Sequence, residues 1–246
     1  MITIDMSNMV VAVTGADRGI GAGIAARFAA AGSSLVLHHR RSDAPPTTDR
    51  SASVQLDLTA AGGADRLIEI AVERFGRLDA VVNNAGIQPV REFGEISAED
   101  WDEMLATNVS AAHWITQSFV RHVRDRGGDG AVVHVASIEG HQPALGHSHY
   151  AISKAALIMH AKAAALEVGR FGVRVNSVSP GLIDRDGLER DWPEGVDRFR
   201  KAAPLARLGT PSDIGDACVF LCSPMAAWIT GVDLIVDGGV SSGPSW

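Results

Sequence analysis

Seven short runs of apolar, largely β-branched residues punctuate this 246-residue chain, and stretches with helical periodicity fill the intervals between them. The runs are residues 9–13, 34–38, 53–56, 80–82, 131–136, 173–178 and 233–236. Runs of this kind mark strands buried on both faces, and helices of the observed length supply the crossovers that parallel strands require. Helical patterns cover residues 19–31, 64–75, 98–126, 149–170 and 211–222. The expected fold is therefore α/β: a doubly wound sheet of seven parallel strands flanked by helices. With no internal repeat and no low-complexity linker, residues 1–246 read as a single domain.

Local signals agree with these boundaries. Ser97 with Asp100 three residues on resembles a capping box, and Thr210, Pro211 and Asp213 supply an N-cap, an N1 proline and an acid for the helix dipole. Gly32, Gly76 and Gly172 are placed to end helices in the left-handed conformation. Residues 39–53 are too short and too Pro-rich for a crossover helix and are expected to form a loop.

The net charge of −7 argues against nucleic acid or an anionic membrane as the main partner. The first residues lack a signal-peptide pattern and no run reaches about 18 apolar residues, so a cytoplasmic location is expected. Cys218 and Cys222 lie four apart in a predicted helix, which does not suit a disulfide between them; they read as buried apolar groups. Nine histidines are scattered without the helical pairing of a zinc hydrolase, and no metal is expected.

The first run is followed directly by Thr14-Gly15-Ala16-Asp17-Arg18-Gly19-Ile20-Gly21, which opens the first helix. Glycines here permit a tight turn and let backbone N–H groups approach a pyrophosphate held at a helix N-terminus. The Lys-Ser/Thr of a nucleoside triphosphate loop is absent. After the second run, where a carboxylate would accept from an adenosine ribose, stand Arg40, Arg41 and Ser42. Guanidinium groups there, with Arg18 nearby, favour a 2′-phosphate and hence NADP(H), with NAD(H) the alternative. Two surface arginines can also merely solvate a loop.

The only tyrosine, Tyr150, sits four residues before Lys154 and thirteen after Ser137, which closes the fifth run. On a helix, residues four apart share a face. At about 5 Å and an effective dielectric of about 20, the ammonium would favour phenolate by about 3 kcal/mol, or about 2.4 pK units. Such a phenol could trade a proton near neutrality. The pair alone is also a common accident of helical sequences.

Taken in order, these motifs resemble the short-chain dehydrogenase/reductase family over nearly the whole chain. They are Thr14 to Gly21, Asp57, Asn83-Asn84-Ala85-Gly86, Asn108, Ser137, Tyr150 with Lys154, and Pro180-Gly181. The resemblance is to members of the 3-oxoacyl reductase and polyketide ketoreductase kinds, and it implies a Rossmann-type sheet. It further implies that Tyr150 is the general acid, that Ser137 positions the carbonyl oxygen, and that Lys154 holds the nicotinamide ribose and lowers the tyrosine pKa. Asn108 would extend a proton path through a helix distortion and a bound water. Asp57 and Leu58 would meet the adenine, Asn84, Ala85 and Gly86 the adenosine half, and Pro180, Gly181 and the Ile183 backbone the nicotinamide carboxamide. Asp57 and Asn83 also suit caps and strand ends without any ligand. The threonine that many relatives carry two residues after Ile183 is replaced by Arg185, which puts that contact in doubt.

The resemblance implies an NADPH-dependent ketoreductase; the alternatives are an NAD-dependent secondary-alcohol or sugar dehydrogenase and a non-catalytic nucleotide-binding scaffold. Substrate selection would lie in residues 88–93, in residues 138–149 with Glu139 and His141, and in a lid at about 182–204. Their mixed polarity suits a medium-sized, partly apolar ketone. Apolar and small residues on more than one face of the two long helices (Ala111, Ala112, Ile115, Phe119, Ala156, Met159, Ala163, Leu166) point to a homotetramer or homodimer.

Overall fold

A computed structural model describes residues 4–41 and 43–243. Its seven strands are β1 (Val10–Val13), β2 (Ser34–His39), β3 (Ser51–Gln55), β4 (Ala80–Asn83), β5 (Gly130–Val135), β6 (Val173–Pro180) and β7 (Asp233–Val236). All pairings are parallel, in the order β3-β2-β1-β4-β5-β6-β7. The strand order reverses between β1 and β4, so the crevice beyond their carboxyl ends is the topological switch point where such sheets bind ligands.

The helices are α1 (Gly19–Ala30), α2 (Gly63–Phe75), α3 (Ala98–Leu105), α4 (Ala111–Arg126), α5 (Ser148–Val168), α6 (Leu188–Asp191), α7 (Pro193–Ala202) and α8 (Pro211–Cys222). One apolar cluster joins one sheet face to α2, α4 and α5 through Leu67, Ile115, Phe119 and Ala161; a second joins the other face to α1 and α8 through Ile24, Phe28, Ile214 and Cys218. Every residue of β1, β4 and β5 is buried, which is why those strands read as unbroken apolar runs. Both expected capping boxes are present, at Ser97 and Thr210.

The helical stretch expected over residues 98–126 is present, with a π-helical turn, Ala106–Ser110, between α3 and α4, which is the helix distortion expected at Asn108. Ala111, Ala112, Ile115 and Phe119 do not form a second outward face: all four are buried within this chain, Ala111, Ile115 and Phe119 in the α2–α4–α5 cluster and Ala112 against Ala136, Leu157 and Ile158. A helix with two neighbours in its own fold is apolar on more than one side for that reason alone. Among the described residues, no helix is long and apolar enough to cross a membrane.

Candidate active site

The turn after β1 is built by close backbone approach. A Cβ on Gly21 would lie 1.9 Å from the Gly15 carbonyl oxygen, so only glycine fits there. Gly19, at φ +52°, faces open space within 4 Å, and the α1 N-terminus lacks a side-chain cap. Its first N–H groups are therefore directed into an open cradle that suits a pyrophosphate. Thr14 fixes the adjacent loop: its Oγ1 accepts from Asn84 N and Ala85 N, both at 2.9 Å, while Asn84 Nδ2 donates to the Thr14 and Gly15 carbonyls at 2.9 and 3.0 Å. His38, which no sequence motif singles out, adds a third support. Its Nδ1 accepts from Gly15 N at 3.1 Å and its Nε2 donates to Leu56 O at 3.1 Å, and burial holds its pKa below the usual range.

Beyond β2 the charges pair with each other. Arg40 Nη2 meets Asp57 Oδ2 at 2.9 Å, and the other Asp57 oxygen accepts from Thr59 N and Oγ1 at 2.9 and 2.6 Å. These bonds hold the Asp57 carboxyl below its ordinary range, the Thr59 contacts counting most. Leu58 is buried in the apolar cluster. Arg18 is almost fully exposed and lies 3.7 Å from Asp17, and Arg41 is exposed. Ser42 lies outside the described residues.

The second group forms at the carboxyl end of β5. Ser137, Tyr150, Lys154 and Asn108 are each at least nine-tenths buried. Ser137 follows β5, its Oγ accepting from Glu139 N at 3.1 Å, and its side chain is close enough to the Tyr150 phenol to lower that group's pKa. Tyr150 and Lys154 share one face of α5, with Nζ 5.5 Å from the tyrosine ring centre and donating to Val135 O at 2.8 Å. The π-helical turn aims Asn108 at the loop after β4. Its Oδ1 accepts from Ile87 N at 2.8 Å, and its Nδ2 donates to Ile87 O and Ser153 Oγ, both at 3.0 Å. Ser153 Oγ in turn donates to Tyr150 O at 2.7 Å. Gly86 lies between the two groups, where a Cβ would stand 3.1 Å from Asn108 Oδ1 and 3.7 Å from Lys154 Nζ.

The expected lowering of the Tyr150 pKa is overturned. Burial pushes the phenol up to about 12, helped by the nearby Glu139 carboxylate, with the Ser137 side chain acting in opposition. Burial also pushes Lys154 down to about 8. Spacing along the helix speaks only to the attraction between the two groups, whereas the completed fold removes water from around both and so disfavours the charged form of each.

Pro180 ends β6, and Gly181 packs so tightly that a Cβ would lie 2.9 Å from both Asp237 and Phe199. Ile183 bridges to Gly209. Residues 182–204 then carry α6 and α7 over a small apolar cluster of Leu188, Val196 and Leu208. Arg185 turns to Asp191 at 3.4 Å on the outside of this segment. His141 is tied to Asp233 at 2.7 Å, and Glu139 to His147 at 3.0 and 3.1 Å. Among the described residues, no group of three or more His, Cys, Asp or Glu is arranged to hold a metal.

This geometry has counterparts. Residues 15–241 match the family described as enoyl-(acyl carrier protein) reductase. A crystal structure from Brucella melitensis, titled short-chain dehydrogenase/reductase SDR: glucose/ribitol dehydrogenase, superposes with a TM-score of 0.88 at 30% identity, covering 97% of this chain and 99% of that one. The chain is a short-chain dehydrogenase/reductase. L-rhamnose 1-dehydrogenase (NAD(P)(+)) of Azotobacter vinelandii is 34% identical over 98% of both chains. The 3-oxoacyl-[acyl-carrier-protein] reductase FabG of Chlamydia muridarum is 33% identical, over 95% of this chain and 98% of its own. As a member of this family the protein is an oxidoreductase acting on CH–OH/C=O groups with a nicotinamide cofactor, on the Rossmann-type fold expected from sequence.

Proposed function

We propose that the protein is an NADP(H)-dependent ketoreductase that converts a carbonyl to a secondary alcohol at the end of β5. The observation that carries this reading is the convergence of Tyr150, Ser137 and Lys154 in one water-poor corner beside the cradle after β1. A reduced nicotinamide, when bound, supplies hydride to the carbonyl carbon. Tyr150 Oη then gives its proton to the carbonyl oxygen as negative charge builds there, while the Ser137 hydroxyl holds that oxygen in place. A phenol with its pKa raised to about 12 keeps its proton until an oxygen approaching alkoxide basicity takes it, which suits an acid in the reductive direction. Lys154, still charged at neutral pH with a pKa of about 8, holds the nicotinamide ribose. Asn108 positions the water that returns a proton through Lys154.

On the cofactor side, the backbone of Gly15, Asp17, Arg18, Gly19, Ile20 and Gly21 takes the pyrophosphate. Asp57, Leu58, Asn84, Ala85 and Gly86 flank the adenosine, and Pro180, Gly181 and Ile183 flank the carboxamide. The sequence directly after β2 carries Arg40, Arg41 and Ser42 rather than a carboxylate, and with Arg18 these favour a 2′-phosphate over a free ribose hydroxyl. Residues 182–204 serve as the lid. Exposed Val90, Phe93, Leu145 and Trp192 on the substrate-side loops suit a partly apolar ketone. Substrates of the 3-oxoacyl or polyketide kind and hydroxylated, sugar-like carbonyls both fit that description.

The second reading, a sugar or secondary-alcohol dehydrogenase run oxidatively with NAD, is favoured by the name of the Azotobacter relative. A non-catalytic scaffold would have no use for Ser137, Tyr150 and Lys154 together. Two separate exposed apolar faces support a homotetramer: Trp114, Ile152, Met159 and Leu166 on α4 and α5, and Met225, Trp228, Val232 and Ile235 at the β7 edge. A cytoplasmic setting, reducing and supplied with dinucleotide, completes the proposal.

A panel of carbonyl compounds followed by loss of NADPH absorbance tests the reading. Turnover of at least one ketone, faster with NADPH than NADH, is expected; no turnover of any would overturn it.

A further inference from the structure

We propose that His147, oriented by Glu139, recognises a hydroxyl on the carbon next to the reacting one, so that the substrate is an α-hydroxy carbonyl or the matching vicinal diol. The inference rests on the reductase reading above and narrows its substrate class.

Glu139 follows Ser137 by two residues and His147 precedes Tyr150 by three. The pair therefore clamps together the two ends of the loop that carries both groups facing the reacting oxygen. His147 Nδ1 lies 3.0 and 3.1 Å from the two Glu139 carboxylate oxygens. An ionised carboxylate only accepts, so Nδ1 carries a hydrogen, and in the neutral form of the ring Nε2 presents a lone pair. That Nε2 has no hydrogen-bond partner among the described residues. The ring stands edge-on to the Tyr150 ring, with centres 5.8 Å apart, and about a fifth of each side chain of the pair remains accessible. The site thus offers two hydroxyl donors, Tyr150 and Ser137, and beside them one fixed acceptor.

A substrate that uses all three must accept at one oxygen and donate at its neighbour. A ketone with an adjacent hydroxyl does so, whereas a simple ketone or a 3-oxoacyl thioester has no hydroxyl on the adjacent carbon. His141 makes the contrast clear. Its Nε2 is already used on Asp233 at 2.7 Å, tying the same loop to β7, so it has a structural bond where His147 has an unused one.

The test compares α-hydroxycyclohexanone with cyclohexanone, each reduced with NADPH by the wild-type protein and by His147→Phe, which keeps a ring against Tyr150 but removes the nitrogen. The wild type should favour the hydroxy ketone by about tenfold in kcat/KM, carried mainly in KM. In His147→Phe that ratio should collapse toward one. His147→Gln, whose amide oxygen can accept, should restore part of it, which a purely structural role would not produce. Equal ratios in the wild type and His147→Phe overturn this inference alone. No turnover of either ketone by the wild type overturns it together with the reductase reading.

Discussion

The two ends of the cleft beyond the carboxyl ends of β1, β4 and β5 are built on opposite plans. At the end of β5, Lys154, Asn108 and Ser137 are buried and bond to backbone groups of their own fold: Val135 O, Ile87 N and O, and Glu139 N. Beyond β2, Arg40, Asp57 and Arg18 are partly or largely exposed, and the arginines bond to other side chains. Exposed pairs of that kind are worth at most about 1 kcal/mol, so a ligand phosphate can displace one cheaply. Buried groups anchored to strands cannot be exchanged at such small cost. Under the proposed function, the chemistry is preorganised whereas cofactor choice rests on charges free to trade partners.

The largest test of this contrast is Lys154→Met. A buried ammonium whose one anchor is a carbonyl is costly to keep, so the variant should lose activity by roughly 10²-fold or more while gaining about 1–2 kcal/mol of stability at neutral pH. The sign of the pH dependence follows from the direction of the shift. The folded pKa of about 8 lies below the ordinary 10.5, so between these values the unfolded chain binds more protons and stability from this group rises with pH. The stability advantage of the variant should therefore be full below about pH 8 and shrink above it, as thermal melts at stepped pH would show. A variant that is less stable at every pH would show that the buried ammonium stabilises the fold.

Smaller effects belong to the exposed end. Arg40→Ala should weaken NADPH binding about tenfold and NADH binding much less, with the difference fading as salt is raised. Asp57→Asn removes the carboxylate that holds Arg40, and should raise the ratio of NADPH to NADH affinity about threefold. Fluorescence titration of both dinucleotides measures both changes. Losses equal for the two cofactors would show that Arg40 does not read the phosphate.

What was legible in the sequence follows the same division. Strands β1, β4 and β5 were legible because burial on both faces forces continuous apolar runs, and the glycine turn because backbone crowding at Gly21 admits no side chain. Tyr150 and Lys154 could be placed on one face from spacing alone. The sign of the tyrosine shift could not, since it depends on how much water the completed fold removes. Contacts between distant segments were equally silent. Asn83, His134, His160 and His113 form a hydrogen-bonded series with separations of 3.2, 2.9 and 3.0 Å, linking β4, β5, α5 and α4. Burial holds His134 neutral, with its pKa at about 3. No local pattern announces that chain, nor the Glu139–His147 bond, because each partner is brought in by a different element or by a loop.

The central claim is that Tyr150 delivers the proton while hydride arrives from the dinucleotide. Tyr150→Phe removes one oxygen from a site otherwise fixed by backbone, so its effect on ketone reduction at saturating NADPH is the most direct measurement. Turnover should fall by roughly 10²–10⁴-fold, with NADPH affinity changed by no more than a few fold. Undiminished turnover in the variant would contradict the account.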